Sequence, residues 1–299
     1  MSISDTKIVS AHPAVEIPDV QPGRVRSSGP ILIVAVIFLV ASLLTWYFSW
    51  FGRELKSSEI SKYLMDESHP RHVQHALLQI QQRIEQGNPS VKQWYPQILV
   101  LSRHQEAEFR LTVAWLMGFD NKSGEFHEAL LRLLKDPEPI VRRNAALALV
   151  RFGDSKGRPE LVEMLQGYAV NATSGGLLAS TLQEGAPIER GALVARIEES
   201  GGRVQELRSP LNGVVDKLVA QNGSHVSKAE TILLLKPDEK TLWEALRGLA
   251  LIGEKAELSI VRGYASGLEF ASARVKRQAE LTAREIETRM SSRDKEVTH

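Results

Sequence analysis

Residues 124–153 read GEFHEALLRLLKDPEPIVRRNAALALVRFG, a stretch that holds two amphipathic helices and a tight turn. In its first part Phe126, Leu130, Leu133 and Leu134 recur at the spacing of one helix face. Asp136-Pro137 ends that run, because proline disfavours the helical conformation at the residue before it. After the break Val141, Ala145, Leu149 and Phe152 again share a face, and Gly153-Asp154 closes the unit. The small residues Ala145, Ala146 and Ala148 allow another helix to approach closely. Arg142 and Arg143, at the start of the second helix, are placed to reach solvent or a neighbouring acidic side chain.

The unit recurs along the chain, and the recurrence sets the expected architecture. Phe109-Arg110-Leu111-Thr112-Val113 lies in the register of Val141-Arg142-Arg143-Asn144-Ala145 at an offset of 32 residues, and Val275-Lys276-Arg277-Gln278-Ala279 repeats it once more. A looser copy surrounds Val73 to Ile80. Thr241 to Glu254, TLWEALRGLALIGE, matches Val141 to Asp154 at an offset of 100, with Gly253 on Gly153. Helix pairs with this period and this arginine-bearing second helix resemble HEAT repeats, which implies an α-solenoid over 56–167 and 238–290. One repeat is split: Arg158 to Gln166 reads as a first helix, whereas the next matching second helix begins near Glu239.

The split is filled by 168–237, where the helical period gives way to short β-branched or leucine-rich runs broken by glycine. This segment is an internal duplication. Ala172-Thr173-Ser174-Gly175 aligns with Pro210-Leu211-Asn212-Gly213 at an offset of 38, followed by Gly185 with Gly223, Ile188 with Val226 and Val194 with Ile232. Two interlocked halves of this kind close one small β core. The second half, RSPLNGVVDKLVAQNGSHVSKAETILLL, resembles the biotinyl/lipoyl barrel-sandwich module, also found in membrane fusion proteins of bacterial export systems. In the carrier members of that family a lysine at the tip of the hairpin between the halves bears the prosthetic group. Here that position falls near Gly202, in EESGGRVQE, and no lysine lies from Ile197 to Leu207. Lys217 is expected in a strand and Lys228 in a late turn, so no cofactor is expected. Export adaptors insert a helical hairpin between the halves; this chain has only the short Gly201-Gly202-Arg203 loop, which is kept as a candidate partner contact.

Ahead of the repeats, Pro30 to Trp50 reads PILIVAVIFLVASLLTWYFSW. It carries no charge and as a helix matches the roughly 30 Å hydrocarbon layer. Arg26 and Arg53 flank it, and Trp46, Tyr47 and Trp50 gather at one end as an aromatic belt does. Residues 1–29 mix proline, serine and scattered charge without a period and are expected to be a disordered tail; 291–299 are expected to be a flexible one. Basic residues on the two sides of the span do not discriminate orientation. The short leader is the easier piece to leave in the cytoplasm, and the resemblance to membrane fusion proteins of export systems implies a bacterial inner membrane, so the large part is assigned to its periplasmic side.

The whole is thus expected to be mainly α: a single transmembrane helix, then a HEAT-like α-solenoid with an inserted small all-β barrel-sandwich domain. Balanced charge, 37 basic against 36 acidic side chains, gives no reason to expect nucleic acid as a partner. The absence of cysteine excludes disulfides, thiolate metal sites and cysteine nucleophiles. His69, His72 and His75 have three-residue spacing, and a solenoid is able to bring His104 or His127 to them. Pro70 separates the first two, however, and no metal site is expected. Glu184, Glu189, Glu198 and Glu199 surround glycine-rich turns without a histidine or serine partner at motif spacing, so an enzyme is not expected. Surface recognition is the expectation, with Trp94, Tyr95, Trp115, Arg142 and Arg143 as candidate contacts, although Trp115 has a core-facing phase. The expected role is a membrane-anchored, non-enzymatic scaffold or adaptor binding a protein of the cell envelope, a transporter or secretion component among the candidates. The alternatives are a modification-deficient carrier-like subunit of a membrane enzyme complex and a metal-dependent hydrolase.

Overall fold

The computed structural model describes residues 29–50, 54–180, 182–267 and 271–297, and side chains over 33–45, 54–180, 182–267 and 271–292. The chain forms two bodies, divided after Arg53. The first contains α1 (Gly29–Trp50), a helix without a charged residue. Among the described residues no helix is long and apolar enough to cross a membrane. The described side chains of α1 cover 33–45 only, so those at both ends of the expected 30–50 span are not described; of the expected tail over 1–29, residues 1–28 lie outside the described residues and Gly29 opens α1.

The second body is mostly helical. Its helices are α2 (Ser57–Leu64), α3 (Pro70–Glu85), α4 (Tyr95–Leu101), α5 (Ala107–Met117), α6 (Gly124–Leu133), α7 (Pro139–Arg151), α8 (Arg158–Glu163), α9 (Glu239–Ile252), α10 (Leu258–Ala265) and α11 (Ala273–Val297). They pack as consecutive pairs, and the second helices α3, α5, α7, α9 and α11 form a row in which each lies against the next. Local chemistry sets the boundaries. Ser123 caps α6 by accepting the Phe126 amide at 3.3 Å, Pro139 opens α7, and Gly153 ends it with φ of +69°. A Cβ on Gly118 would lie 3.0 Å from the Ala148 Cβ, and one on Gly157 would lie 3.1 Å from the Ala146 Cα. The small residues of α7 therefore do admit close neighbours. α11 continues through 291–297, where a flexible tail was expected.

Two helical cores meet on α7. Val141, Ala145, Ala148 and Leu149 pack towards α2–α6, with Phe126 and Leu130 fully buried among them. Ala146 and Val150 pack towards Leu161, Leu165, Leu246 and Leu249 of the following helices. Each such large apolar side chain contributes about 1.5–3 kcal/mol on burial. α8 and α9 lie against each other although 168–237 separates them in sequence, so the insert interrupts one repeat without breaking the row.

The insert has eight strands: β1 (Tyr168–Asn171), β2 (Gly176–Ala179), β3 (Pro187–Ile188), β4 (Leu193–Glu198), β5 (Val204–Arg208), β6 (Gly213–Leu218), β7 (His225–Val226) and β8 (Thr231–Lys236). They form two antiparallel sheets, ordered β1-β8-β6-β3 and β5-β4-β2-β7, around Val170, Leu178, Ile197, Leu207, Val215 and Leu235. Exchanging the first four strands for the last four turns one order into the other. Each sheet therefore takes two strands from each half, the interlocking that the duplication implied. The insert begins and ends on neighbouring strands, with Tyr168 paired to Leu235.

One detail of the duplication is corrected. Gly213 pairs with Ile188 as Gly176 pairs with Val226, so Gly176, and not Gly175, is the equivalent of Gly213. The two halves run one residue closer than expected up to β6. A bulge between Val215 and Lys217 then adds the missing residue and restores the offset seen at Gly185 and Gly223. Both glycines stand where a side chain cannot: a Cβ on Gly213 would lie 2.5 Å from the Lys236 carbonyl oxygen, and one on Gly176 would collide with the Glu198 carbonyl.

Candidate functional site

The hairpin between the halves carries Gly201, Gly202 and Arg203, all exposed. The Glu199 amide donates to the Arg203 carbonyl and the Gly202 amide to the Glu199 carbonyl, both at 2.9 Å. Gly202 has φ of +75° and open space where a Cβ would stand, so the turn, not crowding, asks for glycine there. Lys217 lies on β6 and Lys228 in the turn before β8, the positions expected from the sequence. The residues at this tip do not fit an amide-linked biotin or lipoate, because the one nitrogenous side chain among them is the Arg203 guanidinium, which stays protonated.

On the solenoid, burial removes several candidate contacts. Trp94 ends a 3₁₀ turn, Pro89–Trp94, that swings its ring fully inside; its Nε1 donates to Ser61 Oγ at 3.0 Å, and Arg83 lies over the ring at 5.4 Å. Tyr95 is buried and donates to Asp120 Oδ2 at 2.6 Å. Burial, then that hydrogen bond, raises the Tyr95 phenol above its ordinary range. Arg143 is only 6 % exposed, and its Nε has no hydrogen-bond partner among the described residues. Burial lowers its pKa, opposed first by the charge of Glu160. These three side chains belong to packing. Trp115 departs in the other direction: it is 39 % exposed, edge-on to Phe119 at 4.8 Å, and Arg151 stacks over that second ring.

Arg142 is half-buried and joins consecutive repeats. It donates to the Asp136 and Pro137 carbonyls and to Glu160 Oε2 at 3.1 Å. Arg110, one repeat earlier, does the same more tightly, with Nε and Nη2 on the two oxygens of Asp136 at 2.7 and 2.9 Å. Burial raises the Asp136 pKa, but hydrogen bonds from Arg110 and the Glu138 amide, with the charges of Arg110 and Arg142, leave it below the ordinary value. A second periodic contact lies within the pairs: Tyr95 to Asp120 in one repeat, His127 Nε2 to Asp154 at 2.7 Å in the next. Arg110 and Asp136 escaped the sequence reading, yet Arg110 already stood in the register of Arg142.

The histidines divide. His75 bonds Gln79 at 3.0 Å, His104 faces Glu67 at 3.3 Å, and His127 is held by Asp154. His69 and His72 converge instead on Asp66, with Nδ1 to carboxylate distances of 2.9 and 2.7 Å. Tyr63 stacks on the His72 ring at 4.3 Å. The insert is tied to the solenoid by an ion pair between Arg190, in the β3–β4 turn, and Glu108 of α5.

A family model of HEAT repeats matches residues 96–170, which run from α4 into β1. No curated protein matches the chain. Among solved structures, a chain described as a single-chain, multi-domain long-chain acyl-CoA carboxylase is similar at 18 % identity and a TM-score of 0.23. That match covers 34 % of this chain and 10 % of the other, so this chain spans about a tenth of the protein it matches, and the likeness carries no argument. Over the matched stretch the helical body has HEAT-like repeats, an architecture that generally mediates contacts between proteins.

Proposed function

We propose that the chain is a membrane-anchored, non-enzymatic scaffold that binds a protein of the bacterial envelope, a transport or secretion component being the kind of partner it fits. The observation that carries this reading is the attachment of the insert. It leaves the repeat row through neighbouring strands, is pinned by Arg190 to Glu108, and keeps the Gly201-Gly202-Arg203 hairpin exposed. An exposed loop on a module joined to helical repeats is a recognition device that needs no catalytic group. The anchor is α1, whose described apolar side chains, Ile33, Phe38 and Leu39 among them, are exposed and accompanied by no charge. The small β module is read as a relative of the biotinyl/lipoyl fold used for docking and not for carrying a group.

A photo-crosslinking residue at Gly202, followed by gentle membrane solubilisation and mass spectrometry, tests the reading. Crosslinks to an export or transport component support it. Crosslinks to carboxylase or dehydrogenase subunits replace it with the carrier-like subunit. For topology, Ser155→Cys should react with a membrane-impermeant reagent in cells whose outer membrane alone has been opened; labelling only after inner-membrane lysis refutes the periplasmic assignment.

A further inference from the structure

The loop between α2 and α3 gathers Asp66, His69 and His72, and their donor atoms all lie within 4.8 Å of one another. Pro70 explains why. It fixes the start of α3 and keeps His69 out of the helical conformation, with φ of −123° and ψ of 81°. His69 therefore turns back towards Asp66 while His72, in the first helical turn, reaches the same carboxylate from the other side. The backbone holds this turn through the His69 amide to the Asp66 carbonyl at 3.0 Å. Ser68 Oγ donates to Asp66 Oδ1 at 2.7 Å, and the near-parallel Tyr63 ring, 13° from the His72 plane, fixes the imidazole's orientation.

We infer that Asp66, His69 and His72 form a surface site for a zinc-class divalent cation, with solvent completing its coordination. Two imidazole nitrogens and one carboxylate oxygen are a donor set that suits zinc, copper or nickel and not magnesium or calcium. Tetrahedral zinc, with bonds of about 2.0–2.1 Å, draws its ligands to roughly 3.4 Å apart. The His69 side chain is 65 % exposed and free to rotate by the small amount that this contraction needs. Both Nδ1 atoms face the carboxylate; in the tautomer that carries its proton on Nε2, each ring turns its Nδ1 lone pair to the ion. His75, His104 and His127 are engaged elsewhere and take no part. The site is independent of the scaffold reading.

The test uses the full chain in detergent, without a histidine tag and stripped of metal by a chelator, titrated with zinc chloride by isothermal calorimetry. The expected result is one ion per chain, with magnesium chloride giving no heat. His72→Ala and the isosteric Asp66→Asn should each weaken binding at least about tenfold, while His104→Ala leaves it unchanged. Cobalt(II) should give the visible bands of a tetrahedral ion, lost in His72→Ala. Far-UV circular dichroism confirms that the variants remain folded; should His72→Ala unfold, His69→Ala gives the same reading from the exposed side of the site. Absence of zinc binding, or binding unchanged by both Asp66→Asn and His69→Ala, overturns the inference.

Discussion

Two parts of this chain were built by duplication, and they use it in opposite ways. The helical repeats follow one another by translation, and each pair touches the next. The two halves of the insert exchange strands, so each sheet is complete only when both halves are present. The difference extends to charge. Between repeats, Arg110 and Asp136 form a pair whose side chains are only 11 % and 4 % exposed. In the insert, Glu206 meets Arg196 and Arg208 on the outer face, where the side chains are about half in water. The tightest charged link between repeats is thus buried, whereas this cluster of the insert stays in water.

The strongest way to break this comparison is to delete one half of the insert. Removing 204–236 takes two strands from each sheet, and the remaining half should show no β signal and no cooperative β unfolding. Excising 168–237 in favour of a short Gly/Ser connector should preserve a cooperative helical transition by circular dichroism. This follows because Tyr168 and Leu235 already lie side by side and α8 already packs on α9. Loss of the helical transition in the full excision would make the insert part of the main core.

Next in size is the buried pair. Asp136→Ala leaves the Arg110 guanidinium without its carboxylate and should destabilise the helical body by about 3–5 kcal/mol in urea unfolding. The same contact has a pH signature. The Asp136 pKa is lower folded than unfolded, so its stabilisation is complete above the unfolded carboxylate range, near pH 4, and is lost as pH falls through the folded pKa. Asp154 behaves likewise: burial raises it, but the Lys156 amide and His127 lower it further. The helical melting temperature should therefore drop below about pH 4. Asp136→Asn should flatten that drop.

The twofold relation of the insert makes a sharper, smaller prediction. Gly176→Ala and Gly213→Ala each force a methyl group against a carbonyl of the neighbouring strand and should cost similar amounts, about 1–3 kcal/mol. Gly201→Ala meets open space and should cost little. Unequal costs at the two equivalent glycines would break the proposed equivalence. Smallest of all, Glu206→Ala should change stability by no more than about 0.5 kcal/mol, because its partners are solvated.

Much of this architecture was legible because it is written as period. The apolar spacing around Leu130 and Leu149 marks helices, the Asp-Pro break marks their turn, and the paired glycines mark two β halves. What sequence hides is the point at which one residue is added. The bulge at Asp216 shifts Gly213 onto Gly176, and an alignment by residue type cannot see it. Exposure was also hidden. Trp94 is turned inward by the short 3₁₀ segment before it, and Arg143 is buried on α7, which packs against α8, with Glu160 and Tyr168 near it; a single helix pattern encodes neither. Trp115 took the opposite course. The Asp66 cluster was missed because Pro70, read as a separator, is the residue that brings the two imidazoles together.

The place at which the insert leaves the repeats has a consequence in time. As the chain grows, α8 and the turn after it emerge with Leu161, Met164 and Leu165 facing a partner that is not yet made. Their cover, Leu242, Leu246 and Leu249 of α9, is separated from them by the whole of 168–237. At ~5–20 residues per second a ribosome needs several seconds to copy that stretch. During this interval β1 is equally without β8, since its pairing residues are the last of the insert to appear. β8 and α9 then emerge almost together, so one moment of synthesis allows both the closing of the β module and the sealing of the repeat that hosts it.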